Sequence, residues 1–321
     1  MKIAVTGANG FVGKAVLARM AELGIESVPL VRRPCGLHGE RVVGDLADGQ
    51  VSADDLAGVS AIIHLAARTH VMNETAADPV AEYRRTNVAG TNALLTAAIA
   101  AGVSRFVFMS SIKAIGERSS PGNPIGPDAQ PVPEDAYGIT KLEAEELVRK
   151  RCEGADMEWA ILRPPLVYGP GVRANFERLM RMVAKGIPLP FGAIHNRRSL
   201  VEVGNLADAA VLAATRPEAK NTAFMVADIT LSTPELIQLV AEAMGRRARL
   251  FPVPTLAFRL AGSVTGKRNV VDRLCGSLEL DSARTRDLLG WFPRRTFRES
   301  VAIIAQDMAL IPPKTDRETV A

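Results

Sequence analysis

The chain has 321 residues, of which 47% are hydrophobic and 23% charged, and its net charge is +4. That length supports a large core and lies near the point where one core gives way to two domains. The composition excludes a disordered or fibrous chain, the dispersed charge gives no basic run of the kind nucleic acid needs, and no apolar run reaches the ~18 residues of a membrane span. Neither nucleic acid nor membrane is therefore expected as a partner.

Cys35, Cys152 and Cys275 are odd in number and have no metal-ligand spacing, nor do His38, His70 and His195. A reduced, cytoplasmic protein without a metal site is expected. The N-terminus runs straight into a strand, so no signal peptide is expected.

Ile3–Thr6 reads as a short apolar strand and Lys14–Leu23 as a helix ended by Gly24. Strands follow at Ser27–Val31, Arg41–Gly44 and Ala61–Leu65. Pro79–Ala101 has helical spacing, Arg105–Met109 is a fifth strand, Ala136–Arg151 a long helix and Trp159–Leu162 a sixth strand. This alternation predicts an α/β fold with a doubly wound parallel sheet, its strand ends meeting at one ligand-binding edge. After Arg163 the texture changes, with Pro164-Pro165 and Tyr168-Gly169-Pro170-Gly171 leaving the sheet. Asn175–Lys185 looks helical, Phe224–Ala227 returns as a strand, and Ser232–Gly245 is a helix capped by Ser232 or Thr233. The expected division is a dinucleotide-binding domain over residues 1–164 and about 201–227, and a smaller α/β substrate domain over about 165–200 and 228–305. A frayed polar tail begins at Ile311.

Gly7, Gly10 and Gly13 form G-x-x-G-x-x-G between a strand and a helix. Such a turn brings backbone N–H groups and the positive helix end onto a pyrophosphate. The second strand ends Arg32-Arg33, where NAD-preferring folds usually place an acid. Arginines there can pair with a 2′-phosphate, so NADP(H) is favoured and NAD(H) left possible. Solvated surface charge is the plainer reading of the pair. Asp45 could meet the adenine or simply form a turn.

Tyr137 and Lys141, four apart, share a helical face. An ammonium and a cationic nicotinamide would lower the phenol's pKa and let Tyr137 exchange a proton with an alcohol. Ser111, just past the fifth strand, can hydrogen-bond the same oxygen.

Taken together, Thr6–Gly13, Asp45-Leu46, His64–Ala67, Asn87–Thr91, Ser110-Ser111, Tyr137–Lys141 and Arg163–Gly171 resemble the extended short-chain dehydrogenase/reductases of the NAD-dependent epimerase/dehydratase family, over about residues 1–300. The resemblance implies Ser111, Tyr137 and Lys141 as catalytic residues. It implies cofactor contacts from Gly7, Asn9, Gly10, Phe11, Val12, Gly13, Arg32, Arg33, Asp45, Leu46, Leu65, Ala66, Ala67, Asn87 and Pro164. It also implies a UDP-sugar substrate held by Ser111, Lys113, Asn175, Pro190, Phe191, Arg198 and Arg273, and a homodimer. His64 would lie near the cofactor, although a core role is favoured.

Family members that dehydrate their sugar carry acids beside the catalytic Ser/Thr, whereas Ser111 is followed by Ile112 and Lys113. Dehydration is therefore not expected. Ser110–Lys113 and Arg197–Val201 resemble bacterial surface-polysaccharide (O-antigen) enzymes that reduce the C4 ketone of a UDP-4-keto-6-deoxy-hexosamine. That reduction is the leading expectation. A UDP-hexose or UDP-N-acetylhexosamine 4-epimerase is the alternative, and a non-catalytic nucleotide sensor the remote one.

Overall fold

A computed structural model describes residues 1–69, 78–120, 122–173, 175–266 and 268–311. His70 and the tail beyond Ile311 lie outside the described residues.

The chain opens with a strand, Lys2–Thr6 (β1), a helix, Phe11–Glu22 (α1), and a second strand, Glu26–Val31 (β2). Arg41–Val42 (β3) and Ala61–His64 (β4) follow, then helices Pro79–Arg84 (α2) and Gly90–Ala100 (α3). Arg105–Met109 (β5), Ala136–Glu153 (α4) and Glu158–Arg163 (β6) complete the regular alternation. Leu166–Tyr168 (β7), Asn175–Ala184 (α5) and Arg198–Glu202 (β8) depart from it. Val203–Thr215 (α6) and Thr222–Met225 (β9) return. Ile229–Leu231 (β10) and helices Thr233–Ala243 (α7), Thr255–Val264 (α8), Arg268–Cys275 (α9), Ala283–Leu289 (α10) and Phe297–Asp307 (α11) close the chain.

Seven strands form one parallel sheet in the order β3-β2-β1-β4-β5-β6-β9. The period of two in a strand sends alternate side chains to opposite faces. Ile3 and Val5 join Val16 and Met20 of α1 and Leu206 and Val211 of α6 in one core. Ala4 and Ile62 join Leu94 and Leu95 of α3 and Ala144 and Val148 of α4 in the other. The strand order reverses between β1 and β4, and a crevice opens there beyond the strand ends.

β7, β8 and β10 form a second, three-stranded sheet. Tyr168 anchors its core, stacked on Phe176 at 5.6 Å and tilted against Phe297 at 5.1 Å.

The predicted strands and helices of the large sheet are present, with two differences. The third strand is only Arg41–Val42; Val43 N still donates to Val31 O at 2.9 Å before the chain turns at Gly44, whose φ is +68°. The helical stretch from Pro79 is not continuous, since Arg85–Ala89 is a π turn between α2 and α3. Asn87, at its centre, is buried. The helix predicted at Ser232–Gly245 is α7, and Ser232 is its cap, in a reciprocal capping box with Glu235.

Candidate active site

The first turn of α1 forms a phosphate-sized cradle. Gly10 caps it without a side chain, so its leading N–H groups have no internal acceptor. Gly10 N donates to Gly7 O at 2.9 Å, which closes the turn. A Cβ on Gly13 would sit 2.2 Å from Gly7 O and 2.7 Å from the Ala8 backbone. Any larger residue would push the turn outward and close the approach to the helix end.

A cavity of about 550 Å³ runs from this cradle to the ends of β2 and β3. Gly7, Asn9, Gly10, Phe11, Val12, Gly13, Arg32, Asp45, Leu46, Leu65, Ala66 and Ala67 all line it. A second cavity of about 1180 Å³ shares Asn9–Val12, Leu65, Ala67 and Thr69 and continues to Ser111, Tyr137, Lys141 and Pro164. The two make one trough along the sheet edge, long enough for an extended dinucleotide. The open helix end, the Gly13 contact and the trough fit such a cofactor.

Arg33 lies outside both linings and is exposed. Arg32 lines the first cavity, but Asp45 Oδ2 stands 3.9 Å from its guanidinium and 3.5 Å from that of Arg85. A carboxylate there would oppose a 2′-phosphate. Asp45 also accepts from Ala47 N at 3.0 Å, so it is a turn former as well as a lining residue.

Tyr137 and Lys141 project from α4, whose N-terminus is capped by Asp135 accepting from Gly138 N at 2.8 Å. A Cβ on Gly138 would meet Lys113 O at 2.4 Å. Glycine thus lets α4 pack onto the turn after Ser111, and the Ser111 hydroxyl hydrogen-bonds the Tyr137 phenol. Lys141 is 2% exposed, with Nζ 4.1 Å from the centre of the Phe108 ring.

The electrostatics differ from the sequence expectation. Burial pushes the Tyr137 phenol up to about 12; the Ser111 bond only partly opposes this, and Asp135 adds to it. Burial also pulls the Lys141 ammonium down to about 7, offset in part by Glu145. A lysine so desolvated does not hold the tyrosine low by itself. The phenol is protonated in the protein alone, and a cationic ring in the trough would have to supply the remaining shift.

Two buried networks hold this face. Glu145, one turn beyond Lys141, accepts from Ser110 Oγ at 2.6 Å and from Arg163 Nε and Nη2 at 2.9 and 2.6 Å. Arg163 also donates to Pro127 O at 2.7 Å. In the second network Thr91 donates to Asn87 O at 2.7 Å, so its oxygen accepts from His64 Nε2 at 2.9 Å. His64 Nδ1 then accepts from Thr6, 2.6 Å away, whose own oxygen accepts from Leu65 N and Ala66 N. This chain of donors fixes one neutral tautomer, and burial holds the imidazole pKa at about 3. Asn87 completes the brace. It accepts from Arg68 N at 2.7 Å and donates to Thr140 Oγ1 at 3.2 Å, next to Lys141.

The residues expected to hold substrate fall into two groups, and only Ser111 lines either cavity. Lys113, Arg198 and Arg273 gather beside the trough. Lys113 pairs with Glu117 at 2.8 Å and with Asp135, and Arg273 pairs with Glu117 at 3.1 Å. Arg198 Nη1 donates to Arg273 O at 3.0 Å. Asn175, exposed at the start of α5, and half-buried Pro190-Phe191 lie elsewhere on the smaller sheet's side. Arg173, Glu202, Asn205, Arg294 and Arg295, not anticipated from sequence, line the second cavity. Glu145 was within reach of helical spacing, since it continues the 137–141 step.

A phosphate cradle at the switch point, opening onto a Ser–Tyr–Lys set, defines an oxidoreductase of the extended short-chain dehydrogenase/reductase type. Residues 3–227 match the NAD dependent epimerase/dehydratase family, and the chain belongs to it. It is 40% identical over 309 residues to a UDP-glucose 4-epimerase of Vibrio cholerae, across 95% of this chain and 94% of that one. MoeE5, solved with UDP-glucuronic acid and NAD, is 27% identical, with a TM-score of 0.76 over 96% of this chain and 99% of its own. A short-chain dehydrogenase/reductase superfamily protein from Agrobacterium tumefaciens with bound NAD is 26% identical, with the same TM-score over 96% and 97%. Among the described residues, no helix is long and apolar enough to cross a membrane and no cluster of three metal-ligating side chains occurs.

Proposed function

We propose that this protein is an NAD-dependent 4-epimerase of a UDP-hexose or UDP-N-acetylhexosamine. The observation that carries this reading is the 40% identity to a UDP-glucose 4-epimerase across nearly the whole of both chains. The reading displaces the ketone reductase favoured from sequence. That preference leaned on Arg32 and Arg33, and Asp45 beside Arg32 weakens the case for a 2′-phosphate.

A nicotinamide cofactor held along the trough by the Gly7–Gly13 turn and Lys141 would supply a hydride acceptor for C4 and, once reduced, the donor for the return step. Tyr137 removes the proton from the sugar's C4 hydroxyl as that carbon is oxidised and returns it when the ketone is reduced. Ser111 hydrogen-bonds the same oxygen and keeps it against the phenol. Lys141 orients the cofactor ribose and adds positive charge near the phenolate. Inversion requires hydride to return to the opposite face, so the sugar must present both faces. A second cavity of about 1180 Å³ leaves room for that turn. Lys113, Arg198 and Arg273 are the candidate diphosphate contacts, exchanging Glu117 and Asp135 for the ligand. The substrate region is assigned to residues 165–200 and 228–305, and a homodimer completes the proposal.

The test is incubation with UDP-glucose or UDP-N-acetylglucosamine and no added reductant. Interconversion of C4 epimers supports the reading. Failure there, with stoichiometric loss of NADPH on a UDP-4-keto-6-deoxy-hexosamine, would return the function to the reductase.

A further inference from the structure

α8 carries its apolar residues on the side away from the fold. Leu256, Leu260 and Val264 follow at four-residue steps and so share one face. They are 65%, 60% and 88% exposed. Phe258 and Gly262 fall on the opposite face, where Gly262 is buried and Phe258 meets the Phe191 ring at 6.0 Å. The helix is seated by that second face. Phe251, 45% exposed, precedes it on the segment that Leu250 bridges to Leu189.

The segment that carries this face has charge of one sign, and the acids that bound it in sequence are already engaged, Glu242 with Arg298 at 2.7 Å and Asp272 of α9 with Arg118 at 3.7 Å. Residues 244–271 contain Arg246, Arg247, Arg249, Arg259, Lys267 and Arg268 and no acidic residue. Those six positive charges exceed the +4 of the whole chain, so the remainder is net negative. Arg246, Arg247, Arg249 and Arg259 are exposed, and among the described residues they have no carboxylate partner. Elsewhere on this surface arginines find carboxylates, as Arg84 finds Glu143 and Arg298 finds Glu242.

An apolar stripe flanked by unpaired arginines matches acyl chains beneath anionic headgroups. A second copy of this face would instead bring like charge against like charge across a symmetric contact. We infer that α8 is an interfacial helix that rests the protein on an anionic bilayer. Leu256, Leu260 and Val264 enter the headgroup boundary, and the arginines pair with lipid phosphates. The expectation of no membrane partner rested on the lack of a spanning segment, and a surface helix needs none. The inference is independent of the reaction catalysed, and its test requires no turnover.

The full chain is floated with vesicles of phosphatidylcholine alone and of phosphatidylcholine with about a third phosphatidylglycerol. The anionic vesicles should carry at least about tenfold more protein, and high salt should release it. The variant Leu256→Glu/Leu260→Glu/Val264→Glu should remain unbound with an unchanged circular dichroism spectrum. A second variant, Arg246→Glu/Arg247→Glu/Arg249→Glu, should lose binding while keeping the apolar stripe. Equal flotation of the wild type and both variants would overturn the inference. So would a wild type that ignores both vesicles while the leucine variant falls to a smaller oligomer in sedimentation, which would give the face to a second copy. Retention of an acidic protein by a wild type that binds no vesicle would overturn it as well.

Discussion

Lys141→Met should make the protein more stable and inactive. Lys141 is 2% exposed and its pKa falls from 10.5 to about 7 because burial desolvates the ammonium. The sign follows from proton linkage. Between the two pKa values the unfolded lysine binds a proton that the folded one has lost, so stability rises with pH across that window. Below the folded pKa the penalty is complete. At ~1.4 kcal/mol per unit, the shift sets an upper figure on the order of 4–5 kcal/mol below about pH 6.5, shrinking to about 1 kcal/mol at about pH 9.5. Methionine keeps the length of the side chain and places a thioether near the Phe108 ring, a favourable contact. Urea denaturation of both proteins without cofactor, at the two pH values, measures the difference. The variant should lead by a few kcal/mol near neutrality, and the gap should narrow by about 3 kcal/mol at the higher pH. A variant less stable near neutrality, or a gap that ignores pH, would refute the claim that desolvation dominates at this lysine.

Tyr137→Phe should lower kcat at least about a hundredfold with little change in substrate affinity, since only the acid–base group is lost; near-normal turnover would remove Tyr137 from the chemistry. Asp45→Asn should shift the ratio of NADPH to NADH affinity toward NADPH by about tenfold, because the charge facing a 2′-phosphate disappears; cofactor titration by fluorescence reads this, and an unchanged ratio would separate Asp45 from cofactor choice. His64→Gln should flatten the acid profile of stability. The wild-type imidazole has a folded pKa of about 3 against 6.5 unfolded, so it loses stability as pH falls through that window. Between about pH 6.5 and 4.5 the wild type should lose about 2 kcal/mol more than the variant, and parallel profiles would contradict the buried neutral tautomer.

The parts of the site legible in the sequence share a local cause. Tyr137 and Lys141 are one helical turn apart, and Ser111 lies two residues past the end of β5, so spacing alone brought them to the sheet edge. The glycine turn was legible for the same reason. α6 was not read as a helix, because apolar residues surround it on every side and it is buried nearly throughout. Its sequence therefore lacks the polar face that reveals a period. β7 and β10 have three residues each, too few to alternate, and they exist through pairing with β8 across long separations. The π turn at Arg85–Ala89 left no trace in residue pattern; it places Asn87 where Arg68 N and Thr140 can both reach it. The arginines were the least legible. Whether Arg32 faces a phosphate depends on Asp45, thirteen residues on, and whether Arg273 is free depends on Glu117, which is remote in sequence.

The proposed set of Ser111, Tyr137 and Lys141 does not choose between epimerase and reductase, since both would use the same proton exchange at Tyr137. The choice lies in the cofactor's fate. An epimerase ends each turnover with its cofactor in the redox state in which it began, so it draws on no pool of reductant and gains nothing from reading a 2′-phosphate. A reductase must release oxidised cofactor and take up reduced cofactor every cycle, and a site that distinguishes the phosphorylated form then has a use. Asp45 beside Arg32 fits the first case, because it offers the adenosine end a carboxylate that ribose hydroxyls can donate to. The deep burial of Lys141 fits it as well. A lysine desolvated to a pKa of about 7 is poorly satisfied in the protein alone and gains most when a polar ribose stays beside it. Both features favour a cofactor that remains in the trough while the sugar comes and goes.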